Sequence, residues 1–308
     1  MRALDDDPGS RVKGKATAAI LSGATLLGFS AIFVEWALAG GATPLTVGFY
    51  RMSIALPGAW LLARRSGSLG APGGRVWALA AGLAFFLDLA LWHVSMHETS
   101  AANATFLVGG LSPIWVALFS FFVLGRRVGP FGWLGQLAGL CGALVLALAR
   151  GARSGGGGGE VIAIGASFCY AAFTLALSRA RATLNAPQAL FWMSLSCLAC
   201  FAVTGGVAGH AFRGYTPGAW WSLLGLGVVV QLVAWWLNSW GLGHVEPAVA
   251  ALALQMQQVA TLFLAAWLLG EPLRPLGLLG GALLCGGIVL VSLGARAAAR
   301  VIDPRRPI

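Results

Sequence analysis

LGRRVGPFGWLGQLAGLCG, residues 124–142, and LGEPLRPLGLLGGALLCGG, residues 269–287, are one stretch written twice. Leu124, Gly125, Pro130, Gly132, Gly135 and Gly142 recur 145 residues on as Leu269, Gly270, Pro275, Gly277, Gly280 and Gly287. Each copy follows an apolar run and opens another. Upstream, Gly23, Ala24 and Thr25 meet Gly165, Ala166 and Ser167 at an offset of 142, and Pro44 meets Pro187 at 143. The repeat unit is therefore half the chain, far beyond the roughly 20–50 residues of a solenoid repeat. Two homologous halves have to be explained.

The composition places those halves in lipid. The chain is 58% hydrophobic and only 10% charged, against about 25% charged in soluble domains. Its apolar runs are about 20 residues long, enough to span a hydrocarbon core of about 30 Å as helix. The fold class that follows is an all-α membrane protein.

Bounding the runs by charge, Gly and Pro predicts ten spans, near 16–38, 44–63, 75–97, 100–123, 131–149, 160–179, 186–208, 217–240, 246–268 and 275–294. The expected organisation is a cytoplasmic N-terminal tail (1–15), a five-helix repeat (16–149), a Gly-rich linker (150–159), a second five-helix repeat (160–294) and a cytoplasmic C-terminal tail (295–308). The basic residues preceding the first run resemble a signal peptide. That run is longer than an h-region of about 7–15 residues, so it is kept as a span.

The net charge of +10 is spread over the gaps between spans, which points to topology and away from nucleic acid. With the N-terminus inside, cytoplasmic segments carry fifteen Lys and Arg and outer loops four, Arg51 being the one within a span. Both termini are therefore expected in the cytoplasm. Five spans per half is odd, so the second half enters the membrane inverted. Inverted repeats are the construction of secondary transporters, with the site near the midplane between the halves.

The resemblance then becomes specific. Pro44 and Arg51 in span 2, Ala101, Ala102 and Pro113 in span 4, the repeated stretch above and the Gly270-Glu271-Pro272 step before the last helix resemble the EamA group of the drug/metabolite transporter superfamily over residues 16–294. Two positions depart from that pattern. Arg126 stands where the family often has Glu, and Gln258 where it often has the proline matching Pro113. The resemblance implies a bacterial inner-membrane exporter, and the many Trp with few charges are similar to its aromatic amino acid exporters. Nucleotide-sugar and drug transporters share the architecture. A pyrophosphate, however, needs several basic groups at its site, and only Arg51 is at hand.

Charges inside a bilayer are costly and mark functional sites. Arg51 and Asp88 fall at similar depth, and with Glu35 they lie in the outer half of the membrane. An Arg51–Asp88 ion pair and a site for a zwitterion are the two readings of that placement. Glu35, Asp88 and His93 are the candidates for proton coupling. Trp92, Trp235, Trp236, Asn238, Gln255 and Gln258 are expected to line a cavity with His93, suited to small aromatic or amphiphilic solutes, with interhelical hydrogen bonds the other reading of Gln255 and Gln258. His93 and His97 share one helix face but lack further metal ligands, and the Cys197–Cys200 pair lies in an apolar run; no metal and no cofactor is expected. The GxxxG motifs at Gly135–Gly139 and Gly277–Gly281 predict close helix packing. Packing within one chain is the favoured use and a homodimer the other. No nucleophile with its base supports an intramembrane enzyme.

Overall fold

The structure, a computed structural model, describes residues 8–99, 101–124, 129–149, 151, 157–209, 213–268, 270 and 272–302. Gly125, Arg126, Leu269 and Glu271 of the repeated stretch, most of the 150–159 linker and the outer parts of both tails lie outside them. The described residues form ten helical spans long and apolar enough to cross a membrane. In chain order, α1 (Pro8–Leu27) and α2 (Phe29–Ala39) make span 1. Spans 2 to 7 are α3 (Pro44–Arg65), α4 (Pro72–Glu98), α5 (Ala101–Leu124), α6 (Pro130–Ala149), α7 (Gly158–Ala180) and α8 (Ala186–Val207). Span 8 joins α9 (Pro217–Gly225) to α10 (Trp235–Leu242) through a π-helical segment, Leu226–Ala234. Span 9 is α11 (Pro247–Leu254) and α12 (Met256–Leu268), and span 10 is α13 (Pro275–Ile302). The first helix begins within the expected N-terminal tail and the last runs on into the expected C-terminal tail.

Proline and capping residues explain the starts. Spans 3, 5, 8, 9 and 10 open on Pro72, Pro130, Pro217, Pro247 and Pro275, where the missing N–H costs nothing and the fixed φ suits a first turn. Spans 2 and 7 each open with a capping box, Thr43 with Thr46 and Asn185 with Gln188, satisfying first-turn N–H groups that have no partner within the helix.

The two halves pack as inverted five-helix repeats. Span 3 lies along span 6 as span 8 lies along span 1, and span 4 meets span 6 as span 9 meets span 1. Spans 2 and 7 pair with each other, as do spans 5 and 10. The relation holds at single residues. Gly23 lies on Ala234, and Gly165 on Leu91, their counterparts across the repeat. In spans 5 and 10, Gly135 meets the carbonyl of Gly287 and Gly280 meets that of Gly142. At an offset of 145 that contact maps onto itself. Added Cβ atoms there would come within 3 Å of backbone, so these glycines are used inside one chain, as expected for close helix packing.

Candidate functional site

The polar residues buried between the halves gather around Arg51, on the second turn of span 2. Its Nε–H donates to Gln231 Oε1 at 2.9 Å and Nη1 to Ser30 at 3.5 Å, while the guanidinium sits 5.5 Å from the centre of the Phe85 ring. Gln231 Nε2 donates in turn to Ser194 at 3.3 Å. The site thus draws on spans 1, 2 and 3 of the first half and spans 7 and 8 of the second.

Gln231 can reach Arg51 because span 8 is π-helical where the two spans touch. Gly227, in the same segment, lies directly on Ile54 with the Arg51 carbonyl behind it. A π-helical stretch displaces side chains from the α-helical register, a device common at functional sites.

Asp88, on span 3, is only 4% exposed and Arg51 only 7%. No ion pair of 4 Å or less joins them among the described residues. Asp88 Oδ1 is buried with no hydrogen-bond partner. Of the two sequence readings, the closed Arg51–Asp88 ion pair is not the arrangement present.

Around the charges stands an aromatic wall. Phe85, Phe173 and Trp235 meet mutually, with centroids 4.7–5.4 Å apart, and Tyr170 joins Phe173 at 5.7 Å. The Tyr170 hydroxyl, the Trp235 indole N–H and both amide atoms of Asn238 are buried without partners. Buried polar atoms normally find partners. Asp88, Tyr170 and Trp235 thus keep buried polar atoms without partners around Arg51.

The other sequence candidates fall elsewhere. Trp236 is 40% exposed on the outer flank of span 8, one residue round from Trp235, and leaves the site. Glu35 is exposed on α2. Trp92, half-buried, lies one turn beyond Asp88, and the side chains of His93 and His97 lie outside the described residues. Gln255 and Gln258, expected to line a cavity, are hydrogen-bonded to each other and to span 4. Gln258 donates to Gln255 at 2.7 Å and Gln255 to Ser112 at 3.5 Å, both amides pressed against Gly109. They bridge spans 4 and 9 at the break in span 9. Sequence reading missed Gln231, Ser30, Ser194, Phe85, Phe173 and Tyr170. Gln231 alone carried a signal, as the one polar side chain in LGVVVQLVA.

The halves touch at both ends of their interface. At one, Gln188 donates to Ser68 O at 2.5 Å and Trp192 to Leu69 O at 2.9 Å. Beside them Arg181 bonds the carbonyls of Ser239, at 2.7 Å, and Leu184. Burial lowers the Arg181 pKa to about 10, so it remains a cation at neutral pH. At the other end Thr216 N–H donates to Gly40 O at 3.1 Å, and Tyr50, Tyr215 and Trp220 pack as an aromatic cluster. An open groove of about 480 Å³ lies outside that end, lined by Phe33, Trp36, Gly40, Thr216, Ala219 and Trp221. It is apolar and does not contain the charges.

With the geometry in place, comparison with known proteins is direct. The profile of the EamA-like transporter family matches residues 14–148 and again residues 157–293. A solved structure titled "Crystal structure of protein" is similar over 90% of this chain and 98% of its own, with a TM-score of 0.76 at 20% identity, a likeness of fold. A search of curated proteins returned no match.

Proposed function

The chain belongs to the EamA-like transporter family, and from that premise we propose that it exports amino acids, aromatic ones foremost, across a bacterial inner membrane by alternating access. One observation carries the substrate class. Arg51 and Asp88 are buried between the halves, opposite in charge and unpaired. A free carboxylate and a free ammonium, held on one α-carbon, are the two groups such a site lacks. Nη2 of Arg51 has no acceptor among the described residues and suits a carboxylate. Asp88 Oδ1 receives no donor and suits an ammonium. The Phe85–Phe173–Trp235 wall supports an aromatic side chain through ring contacts.

In this reading Asp88 also carries a coupling proton, since the acceptor that binds an ammonium can hold a proton on the return step. Glu35, exposed and apart from the site, has no such role. The two ends described above are the gates, and the fifteen-to-four distribution of Lys and Arg supports two cytoplasmic termini. The transporting unit is one chain, the glycine faces of spans 5 and 10 being occupied within it, and its work is movement without covalent chemistry.

The test is counterflow of labelled phenylalanine into liposomes holding the purified protein. Wild type should accumulate label, and phenethylamine, which lacks the carboxylate, should compete poorly. Undiminished counterflow by both Arg51→Gln and Asp88→Asn would remove the zwitterion site.

A further inference from the structure

The offset of 143 that pairs Pro44 with Pro187 also pairs Trp77 with Trp220, Gly82 with Gly225 and Trp92 with Trp235. Between those anchors it equates Arg51 with Ser194 and Asp88 with Gln231. Gly82 of span 3 lies on Met193 and Cys197 of span 7, and Gly227 of span 8 lies on Arg51 and Ile54 of span 2. Cys197 and Ile54 are 143 apart, whereas Gly227 stands two residues past Gly225, the sequence equivalent of Gly82. The core of the site is therefore a quartet related by the pseudo-twofold, in which the first half supplies the charges and the second half supplies their neutral counterparts.

The quartet is not symmetric in this conformation. Within the second half, Gln231 bonds Ser194; the equivalent pair in the first half, Asp88 with Arg51, makes no ion pair. Across the halves, Arg51 bonds Gln231; the equivalent contact, Ser194 with Asp88, is not made among the described residues. An inverted-repeat carrier reaches its opposite state when each half takes up the other's conformation. Applied to this quartet, the exchange breaks Arg51–Gln231 and Gln231–Ser194 and makes Arg51–Asp88 and Ser194–Asp88.

We infer that Arg51 alternates between two partners, Gln231 of span 8 and Asp88 of span 3, and that this exchange is part of the switch between the two access states. Gln231 is thus a positioning residue. By taking the Nε–H of Arg51 it holds the guanidinium off Asp88 and leaves both charges open to substrate. The inference rests on the alternating-access reading above and needs no knowledge of which substrate is carried.

Hydrogen exchange of the full chain in lipid nanodiscs, without substrate, tests it. The signal is the ratio of exchange in residues 44–52, at the aromatic gate, to that in residues 187–195, at the Ser68–Gln188 gate. Gln231→Met, which removes the acceptor at similar volume, releases Arg51 to Asp88. Asp88→Asn weakens that second partner, and Gln231→Glu strengthens the first. Gln231→Met should move the ratio in one direction and the other two variants in the opposite one, each by about fivefold, a common size for coupling between states. A change of the same sign in all three, or none, overturns the inference, because lost packing would loosen both gates alike. Residues 132–146, in the glycine contact of spans 5 and 10, report global unfolding. A variant that fails there is replaced by Ser194→Ala, which weakens the hold on Gln231 and should follow Gln231→Met. Failed phenylalanine counterflow with an intact opposed shift would sink the substrate reading alone.

Discussion

Arg51 is the residue on which the site turns, and its chemistry sets the first expectations. Charge-assisted hydrogen bonds are worth roughly 1.5–3 kcal/mol, so Arg51→Gln should lower phenylalanine counterflow by about ten- to a hundredfold. Asp88→Asn should do so to a similar extent and should also flatten the dependence of export on the pH gradient. Glu35→Gln, exposed and outside the quartet, should stay within about twofold of wild type, as surface substitutions do. Initial rates in liposomes at two pH gradients read all three.

Among the elements, the contact between spans 5 and 10 has a role opposite to that of spans 1, 8 and 9. Two stretches of glycine let backbones touch, with Gly135 on Gly287 and Gly142 on Gly280, and dispersion forces then hold a seam without polar groups. Gly135→Leu or Gly287→Leu inserts a side chain where no space exists. Overpacking costs about 1–3 kcal/mol in cores with some room to adjust, and the backbone contact here leaves little, so the melting temperature in detergent should fall markedly. Gly286 has nothing within 4 Å of an added Cβ, and Gly286→Ala should hold or raise it. Spans 1, 8 and 9 are interrupted instead. At the break after Leu27 the Gly28 carbonyl is met by Thr261 at 3.1 Å, and the π-helical segment of span 8 presents Gln231. The continuous glycine seam of spans 5 and 10 holds the two halves together.

For the whole molecule, the two ends of the interface are unlike. The Ser68–Gln188 end is held by side-chain hydrogen bonds to loop carbonyls, the Gly40–Thr216 end by a backbone hydrogen bond and aromatic packing. Trp192→Phe removes the bond to Leu69 O and keeps the ring, so it should raise exchange in residues 187–195 more than in residues 44–52. Topology gives a further check. Fluorescent protein fused to either terminus should be bright and alkaline phosphatase fused to either should be inactive, as two cytoplasmic ends require.

The repeated Gly-Pro stretch, the lengths of the apolar runs and the pairing of Pro44 with Pro187 were enough to deduce ten spans in two inverted halves, because those features are local. A helix that must satisfy its own backbone in lipid carries its length and its breaks in its own residues. The placement of Arg51 and Asp88 was legible for the same reason, as charge in an apolar run is conspicuous at any distance. Which partner each charge takes was not. That choice depends on the phase of span 8 against span 2, and a π-helical segment around Gln231 shifts that phase with no change in composition. Gln255 and Gln258 show the same limit: as buried amides they had to line a cavity or bond another helix, and the approach of Gly109 and Ser112 on another span is not legible in their own stretch. Sequence determines what each helix must bury, whereas the packing of distant helices decides what each buried group meets.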